Sequence, residues 1–179
     1  YEHDYLGHGR RIYQTNMHVP LMIKAPGVQA GRSSAPVSTL DVGPTLLGLA
    51  GLAPAPGMLG RNLLGESVPA ERLRFIETYG GAVPRLPGAK AVMADRPPMR
   101  RGMIANGWKL IVDDDGVQEL FHLTSDPLEQ HNLAEKETDR ADEMRTVLDE
   151  WDRRNPRGQM HEVPLSSDDL RALESLGYL

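Results

Sequence analysis

The stretch YEHDYLGHGRRIY at the start of the chain carries His3 and His8 among Glu2, Asp4, Arg10 and Arg11. An imidazole titrates near neutrality. Either ring can therefore give or take a proton, or hold an anion as imidazolium. Gly7 and Gly9 flank His8 and let the backbone approach a bound group closely. Asp4 can orient either ring as a supporting carboxylate. Arg10 and Arg11 offer planar, permanent cations for an anionic group. On residue type alone His8 reads as a partly exposed loop histidine, and the two arginines as a solvated helix start.

Other candidates are weaker. Asp113, Asp114 and Asp115 are a run of carboxylates without the ligand spacing of an EF-hand loop, so a solvated turn is expected. Arg100 and Arg101 follow a Pro-rich stretch and are expected to pair with nearby carboxylates. Trp108 and Trp151 are expected to pack in the interior or between elements. The chain has no cysteine, which removes disulfides, thiolate metal sites and a thiol nucleophile.

The 179 residues, 40% hydrophobic and 25% charged, suit one globular domain or slightly more. A net charge of -5 argues against a broad nucleic-acid face, although Arg10-Arg11 remains a local basic patch. No apolar run is long enough to span a bilayer. No signal sequence is visible. An opening of Tyr-Glu-His without methionine leads to the expectation that a preceding segment has been lost.

These residues need elements to position them. VPLMIK at 19–24 predicts a short buried strand, with Pro20 placing it at a start or an edge. In STLDVGPTLLGLAGL, Ser38 and Asp41 have capping-box spacing and Pro44 fits a first turn. Leu46, Leu47, Leu49 and Ala50 give that helix an apolar face, and Gly51 ends it. RFIET at 74–78 predicts another strand. Residues 80–98 form a long Pro/Gly-rich loop. Asn106-Gly107 between two apolar runs predicts a hairpin, and Asp114-Asp115-Gly116 a second turn before a strand at 118–123. The result is a three-stranded antiparallel meander. Met144, Val147, Leu148 and Trp151 repeat at helical spacing, and Pro156 ends that helix. A last helix starts at Ser166, with Asp169 completing a capping box and Leu165 and Leu170 a hydrophobic staple. Leu170, Leu173 and Leu176 would dock it, and Gly177 would end it.

In order along the chain, EHDYLGHGRRIYQTNMHVPLMIKAPGV, STLDVGPTLLGLAGL, GMLGRNLL, GWKLIVDDDGVQELFHLTSDPLEQHNLAE and LRALESLGYL resemble segments of sulfatases of the alkaline phosphatase superfamily. The resemblance covers nearly the whole chain. It implies an α/β fold. Residues 1–98 would be the trailing, truncated part of an alkaline-phosphatase-like α/β/α sandwich, and 99–179 a C-terminal subdomain of antiparallel sheet plus helices.

The resemblance also implies roles. His8 stands where many relatives have a lysine that contacts the sulfate or bridging oxygen, so it is the catalytic and substrate-binding candidate, with Arg10 and Arg11 as anion holders. His3 matches the histidine of the family's Glu-His-Gly, with Asp4 in place of glycine, and a loop-orienting hydrogen bond is expected of it. His18 stands where relatives often carry arginine. Arg100 and Arg101 fall in a region that can border the substrate cleft. The family's formylglycine arises from a Cys/Ser-x-Pro-x-Arg motif. Ser34-Ala35-Pro36-Val37-Ser38 lacks that arginine and is read as chance. Calcium, or another divalent metal, and formylglycine are therefore expected in the parent and not in this chain, whose metal ligands would lie just before Tyr1.

The parent is expected to hydrolyse sulfate esters of a small molecule or glycan, with no nucleic-acid partner and no membrane span. The family resemblance is compatible with a periplasmic or secreted location. Two rivals are a phosphoester or phosphonate hydrolase or transferase of the same superfamily, and a non-catalytic binding module.

Overall fold

The structure is a computed structural model that describes His3 and residues 11–78, 100–155 and 166–175. Its centre is an antiparallel sheet of β1 (Arg74–Thr78), β2 (Arg100–Ala105), β3 (Trp108–Asp113) and β4 (Gln118–His122), in that order. The described α-helices are α1 (Gln14–Met17), α2 (Val42–Leu49), α3 (Thr138–Arg154) and α4 (Ser167–Ser175).

The expected meander has a local cause. Asn106 and Gly107 take φ of +48° and +79°, the conformation in which a two-residue turn matches strand twist. Ala105 and Trp108 therefore face each other across the hairpin. At the second turn Gly116 has φ +82°. Asp113 Oδ1 accepts the Val117 N–H at 2.8 Å. Asp113 is thus a buried turn former, while Asp114 and Asp115 are exposed as expected. The 74–78 strand precedes the Pro-rich stretch in sequence, yet it pairs with β2, from Arg74 opposite Ile104 to Thr78 opposite Arg100. It gives the meander a fourth strand.

Side chains alternate between two covered faces of this sheet. Met103, Leu110, Val112 and Leu120 form one core with Ala141, Met144 and Leu148 of α3. On the other face Ile111 and Phe121 meet Ile12 and Tyr13 of the N-terminal segment, with Met17, Ile76 and Leu123 packed alongside. Burial on both faces explains why β3 is buried from Lys109 through Asp113.

Two expectations fail between the N-terminal segment and β1. Residues 19–24 form no strand, and Val19, Leu21 and Met22 are exposed. A strand exists through its pairing, and no described strand lies beside this one. Pro20 also lacks an N–H to donate. The helix α2 does begin with the Ser38–Asp41 capping box, through a 3-10 turn at Thr39–Asp41, and ends near Gly51 with φ +72°. It buries Pro44 and Thr45, however, and leaves Leu46 and Leu49 exposed.

Polar anchoring chooses that face. Asp41, fully buried, accepts the N–H groups of Ser38 and Arg61 at 2.8 Å each and both terminal nitrogens of Arg72 at 2.7 Å. Thr45 Oγ1 donates to Asp41 O at 2.7 Å and accepts the Leu63 N–H at 3.0 Å. The GRNLL segment can come this close because Gly60 has no side chain. A Cβ there would stand 1.9 Å from Leu40 O.

The chain comprises two compact units, Tyr1–Asp149 and Glu150–Leu179. In the second, α4 has its expected capping box. Ser166 N–H donates to Asp169 Oδ2 at 3.0 Å, and Asp169 N–H to Ser166 Oγ at 3.2 Å. No residue of α4 is buried, so Leu170 and Leu173 form no docked face among the described residues. Pro156, Leu165, Leu176 and Gly177 lie outside them, as does the 80–98 loop.

Candidate functional site

The N-terminal segment is fastened to the sheet face opposite α3 by two polar clusters. In the first, the Tyr13 hydroxyl donates to Glu119 Oε1 at 2.7 Å, while Arg100 Nη1 donates to Glu119 Oε2 at 2.5 Å. Arg100 Nη1 also lies 3.4 Å from the Tyr13 oxygen. Tyr13 is 4% exposed. Burial, reinforced by the hydrogen bond to Glu119 and its charge, pushes the Tyr13 pKa up to about 12. The phenol therefore stays a neutral donor at any ordinary pH.

The second cluster is Lys109, Glu129 and the start of α1. Lys109 Nζ and Glu129 Oε1 are 2.6 Å apart and both side chains are fully buried. Burial pulls the lysine pKa down, against the attraction of Glu129. Glu129 Oε2 accepts the Gln14 N–H at 2.5 Å, satisfying the first donor of α1. Glu129 reaches inward because the exit from β4 is tightly folded. Asp126 accepts the N–H groups of Gln130 and His131 at 3.1 and 2.9 Å, and Glu129 itself has φ +56°. Asn132 Oδ1 then accepts the Leu120 N–H at 2.9 Å, and Leu133 N–H donates to Leu120 O at 2.8 Å. The exit motif DPLEQHNL is thus a structural brace: Asp126 shapes the turn, Glu129 neutralises Lys109, and Asn132 and Leu133 bond to β4.

Of the residues singled out in sequence, His8 and Arg10 lie outside the described residues. Arg11 is half-buried, and its carbonyl accepts Asn16 Nδ2 at 3.1 Å. His3 Nε2 lies 3.1 Å from Leu128 O and donates to it as the Nε2–H form. Its ring stacks on Tyr13 with centroids 3.6 Å apart and planes 8° from parallel. This is the loop-orienting bond expected of His3. His18 is exposed. Arg100 pairs with Glu119, and Arg101 with Asp149 at 3.1 Å, so both serve structure as expected.

Tyr13, Lys109, Glu119 and Glu129 were not legible as a site. One signal was available. Lys109 sits between Trp108 and Leu110 in an apolar strand, and a lysine buried there requires a carboxylate from elsewhere. Which carboxylate answers it is a matter of tertiary structure.

Among the described residues no group of three or more His, Cys, Asp or Glu could hold a metal ion. No described helix is long and apolar enough to cross a membrane.

Comparison with known proteins agrees along the chain. Residues 2–153 match the model of the family described as "N-sulphoglucosamine sulphohydrolase, C-terminal". Arylsulfatase K of Bos taurus is 32% identical over 129 residues, covering 70% of this chain and 24% of the relative. Choline-sulfatase of Rhizobium meliloti (strain 1021) is 31% identical over 166 residues, covering 90% of this chain and 26% of the relative. The chain thus spans about a quarter of the length of these curated relatives. A crystal structure of Ps i-CgsB in complex with k-i-k-neocarrahexaose superposes with a TM-score of 0.52 at 18% identity, over 78% of this chain and 29% of that one. At that identity the likeness is one of fold.

Proposed function

The chain belongs to the N-sulphoglucosamine sulphohydrolase C-terminal family, and from that premise we propose that the protein containing it hydrolyses sulfate esters. The observation that carries this proposal is the family match over residues 2–153, which includes both the His8 stretch and the exit motif. The names of the two curated relatives, arylsulfatase K and choline-sulfatase, support the same class of reaction. The substrate is a sulfated small molecule or glycan.

In this proposal residues 1–98 trail from the catalytic α/β domain and residues 99–179 form the C-terminal subdomain, with β1 crossing to its sheet. Most of the large apolar side chains left exposed, including Met22, Leu46, Leu52 and Leu59, fall between Val19 and Leu73. Such a surface calls for cover, and the curated relatives are long enough to provide it. Formylglycine and calcium belong to the family's chemistry, but neither the sequence, for the first, nor the described residues, for the second, supply what they need. The chain has no cysteine, and no carboxylate or histidine cluster among its described residues could hold a metal. Both are assigned to the remainder of the protein.

The chain's own contribution is at the oxygen side of the ester. His8 contacts the sulfate or the bridging oxygen, as imidazolium or as proton donor to the leaving alcohol, and Arg10 and Arg11 hold the anion. Charge builds there in the transition state more than in the ground state, so the contact acts on the chemical step.

The test is His8→Ala in the full-length protein, with two substrates. If His8 is the acid, turnover of an alkyl sulfate with a poor leaving group falls by about 10²–10⁴-fold. A nitrophenyl sulfate, whose leaving group needs little protonation, falls less. Equal losses mark an electrostatic anchor, and Arg10→Ala and Arg11→Ala, which remove the other proposed anion holders, should lower both rates alike. Rates within about twofold of the parent on both substrates, with the fold intact, would make His8 a bystander.

A further inference from the structure

We infer that Asn106-Gly107 is a self-modification site, where the chain deamidates itself once the β2–β3 hairpin opens and which the closed hairpin holds shut. The reaction uses only groups of the chain and water. The Gly107 nitrogen attacks Cγ, the side-chain carbonyl carbon of Asn106. An N–Cγ bond forms, the bond from Cγ to the amide nitrogen breaks, and ammonia leaves with the proton that the Gly107 N–H gives up. One water then opens the five-membered succinimide. Attack at Cγ leaves aspartate. Attack at the main-chain carbonyl leaves isoaspartate, whose backbone is longer by one methylene.

Sequence and exposure both favour this place. Asn106 is the one asparagine of the chain that glycine follows, so no side chain at the next residue hinders the attack. Asn106 is also exposed, so water and base reach it. The fold cannot give up that glycine. Gly107 has φ +79°, a conformation costly for a residue with a Cβ. A Cβ there would also stand 2.9 Å from Thr124 Oγ1. The turn thus requires the residue that makes the asparagine before it labile.

Exposure offers no protection, so protection must come from the shape of the turn. Asn106 has φ +48°, in the left-handed region, where ψ is about +47°. At that ψ the Cβ of Asn106 and the nitrogen of Gly107 point to opposite sides of the Cα–C bond. Ring closure needs them on the same side, since both belong to the ring. The peptide cannot swing round while the hairpin is closed. Ala105 pairs with Trp108 across the turn. The Leu123 N–H donates to Gly107 O at 2.7 Å and ties the turn to the residue after β4. Deamidation therefore follows opening of the hairpin, and its products accumulate as a record of that opening.

The test ages the full-length protein at neutral pH, once in buffer and once in guanidinium chloride that unfolds it. The tryptic peptide Gly102–Lys109 holds Asn106. Chromatography and mass spectrometry count it as asparagine, aspartate and isoaspartate, with digestion kept short and mildly acidic so that it adds none. Modification should be slower by about tenfold or more in the native protein.

A second arm separates the shape of the turn from general rigidity. Inserting one glycine after Gly107 gives a three-residue loop, a length that hairpins also use, and melting temperature shows that the variant folds. Native modification should then rise by about fivefold or more, because Asn106 is released from the left-handed turn. Equal rates in native and unfolded protein overturn the inference, and so does a folded insertion variant as slow as the parent. Should the insertion fail to fold, the ratio of unfolded to native rates decides alone.

Discussion

Lys109 Nζ and Glu129 Oε1 meet at 2.6 Å with neither side chain exposed, and the same glutamate receives the first N–H of α1. A charge on the central sheet is thereby neutralised by a residue from the β4 exit, and the pair clamps a third element. Removing one partner of a buried pair costs about 3–5 kcal/mol because the other is left charged and unpaired. Glu129→Gln should lose stability on that scale at neutral pH, read as a lower urea midpoint. Burial already holds the Lys109 pKa below its usual value. A lowered lysine pKa means the unfolded chain binds more protons below the usual value, so stability rises with pH through that window. The Glu129→Gln deficit should therefore shrink towards pH 10. Lys109→Met combined with Glu129→Gln should recover most of the loss; a double variant as unstable as the single would contradict the pairing.

Asp41 gathers two backbone N–H groups and a bidentate arginine with no exposure of its own. Burial alone would raise its pKa, but the Arg72 hydrogen bonds and the N–H groups of Arg61 and Ser38 outweigh it, and the carboxyl lies below the usual range. The stability it contributes is full above the unfolded carboxylate value of about 3.9 and is lost as pH falls through the folded value. Asp41→Asn should cost about 3–5 kcal/mol at pH 7 and flatten the acid limb of the stability profile. Denaturant midpoints of parent and variant between pH 2 and pH 7 check this; parallel profiles would deny Asp41 the role.

Tyr13 predicts the opposite limb. Its hydroxyl is raised to about 12 in the folded chain, against about 10 in the unfolded chain. The folded state then holds the proton more tightly, so the contribution is complete below about pH 10 and is lost as pH rises towards 12. Tyr13→Phe should remove this alkaline loss, which is on the order of 2 kcal/mol. Subtracting the variant's profile from the parent's isolates the tyrosine from the lysines that titrate nearby. A difference that stays flat from pH 9 to pH 12 would show that the hydroxyl is not confined as described.

Local signals were legible wherever neighbouring residues supply both sides of an interaction. Asn106-Gly107 needs only its own backbone freedom to turn, and the structure has that turn. Ser38 with Asp41, and Ser166 with Asp169, close their capping boxes within four residues. The helical repeat of Met144, Val147 and Leu148 needs only a face to bury, and β2, β3 and β4 provide it. The opening stretch stood out because two imidazoles and two guanidinium groups fall within a dozen residues, which is visible without a fold.

By itself, then, the sequence determined the turns, the caps, the helix that covers one sheet face and the family to which the motifs point. Tertiary structure alone decided that VPLMIK pairs with no strand among the described residues, that α2 turns Thr45 rather than Leu46 inward, and that β1 joins a sheet whose next strand begins at Arg100. It also decided that Lys109 finds Glu129, that Asp41 finds Arg72, and that Tyr13 stacks on His3 while bonding to Glu119. The physical reason is common to all of these. A strand pairing, a buried charge and the choice of a helix face each depend on a partner distant in sequence, and residue type states the need for a partner without saying which one will be near.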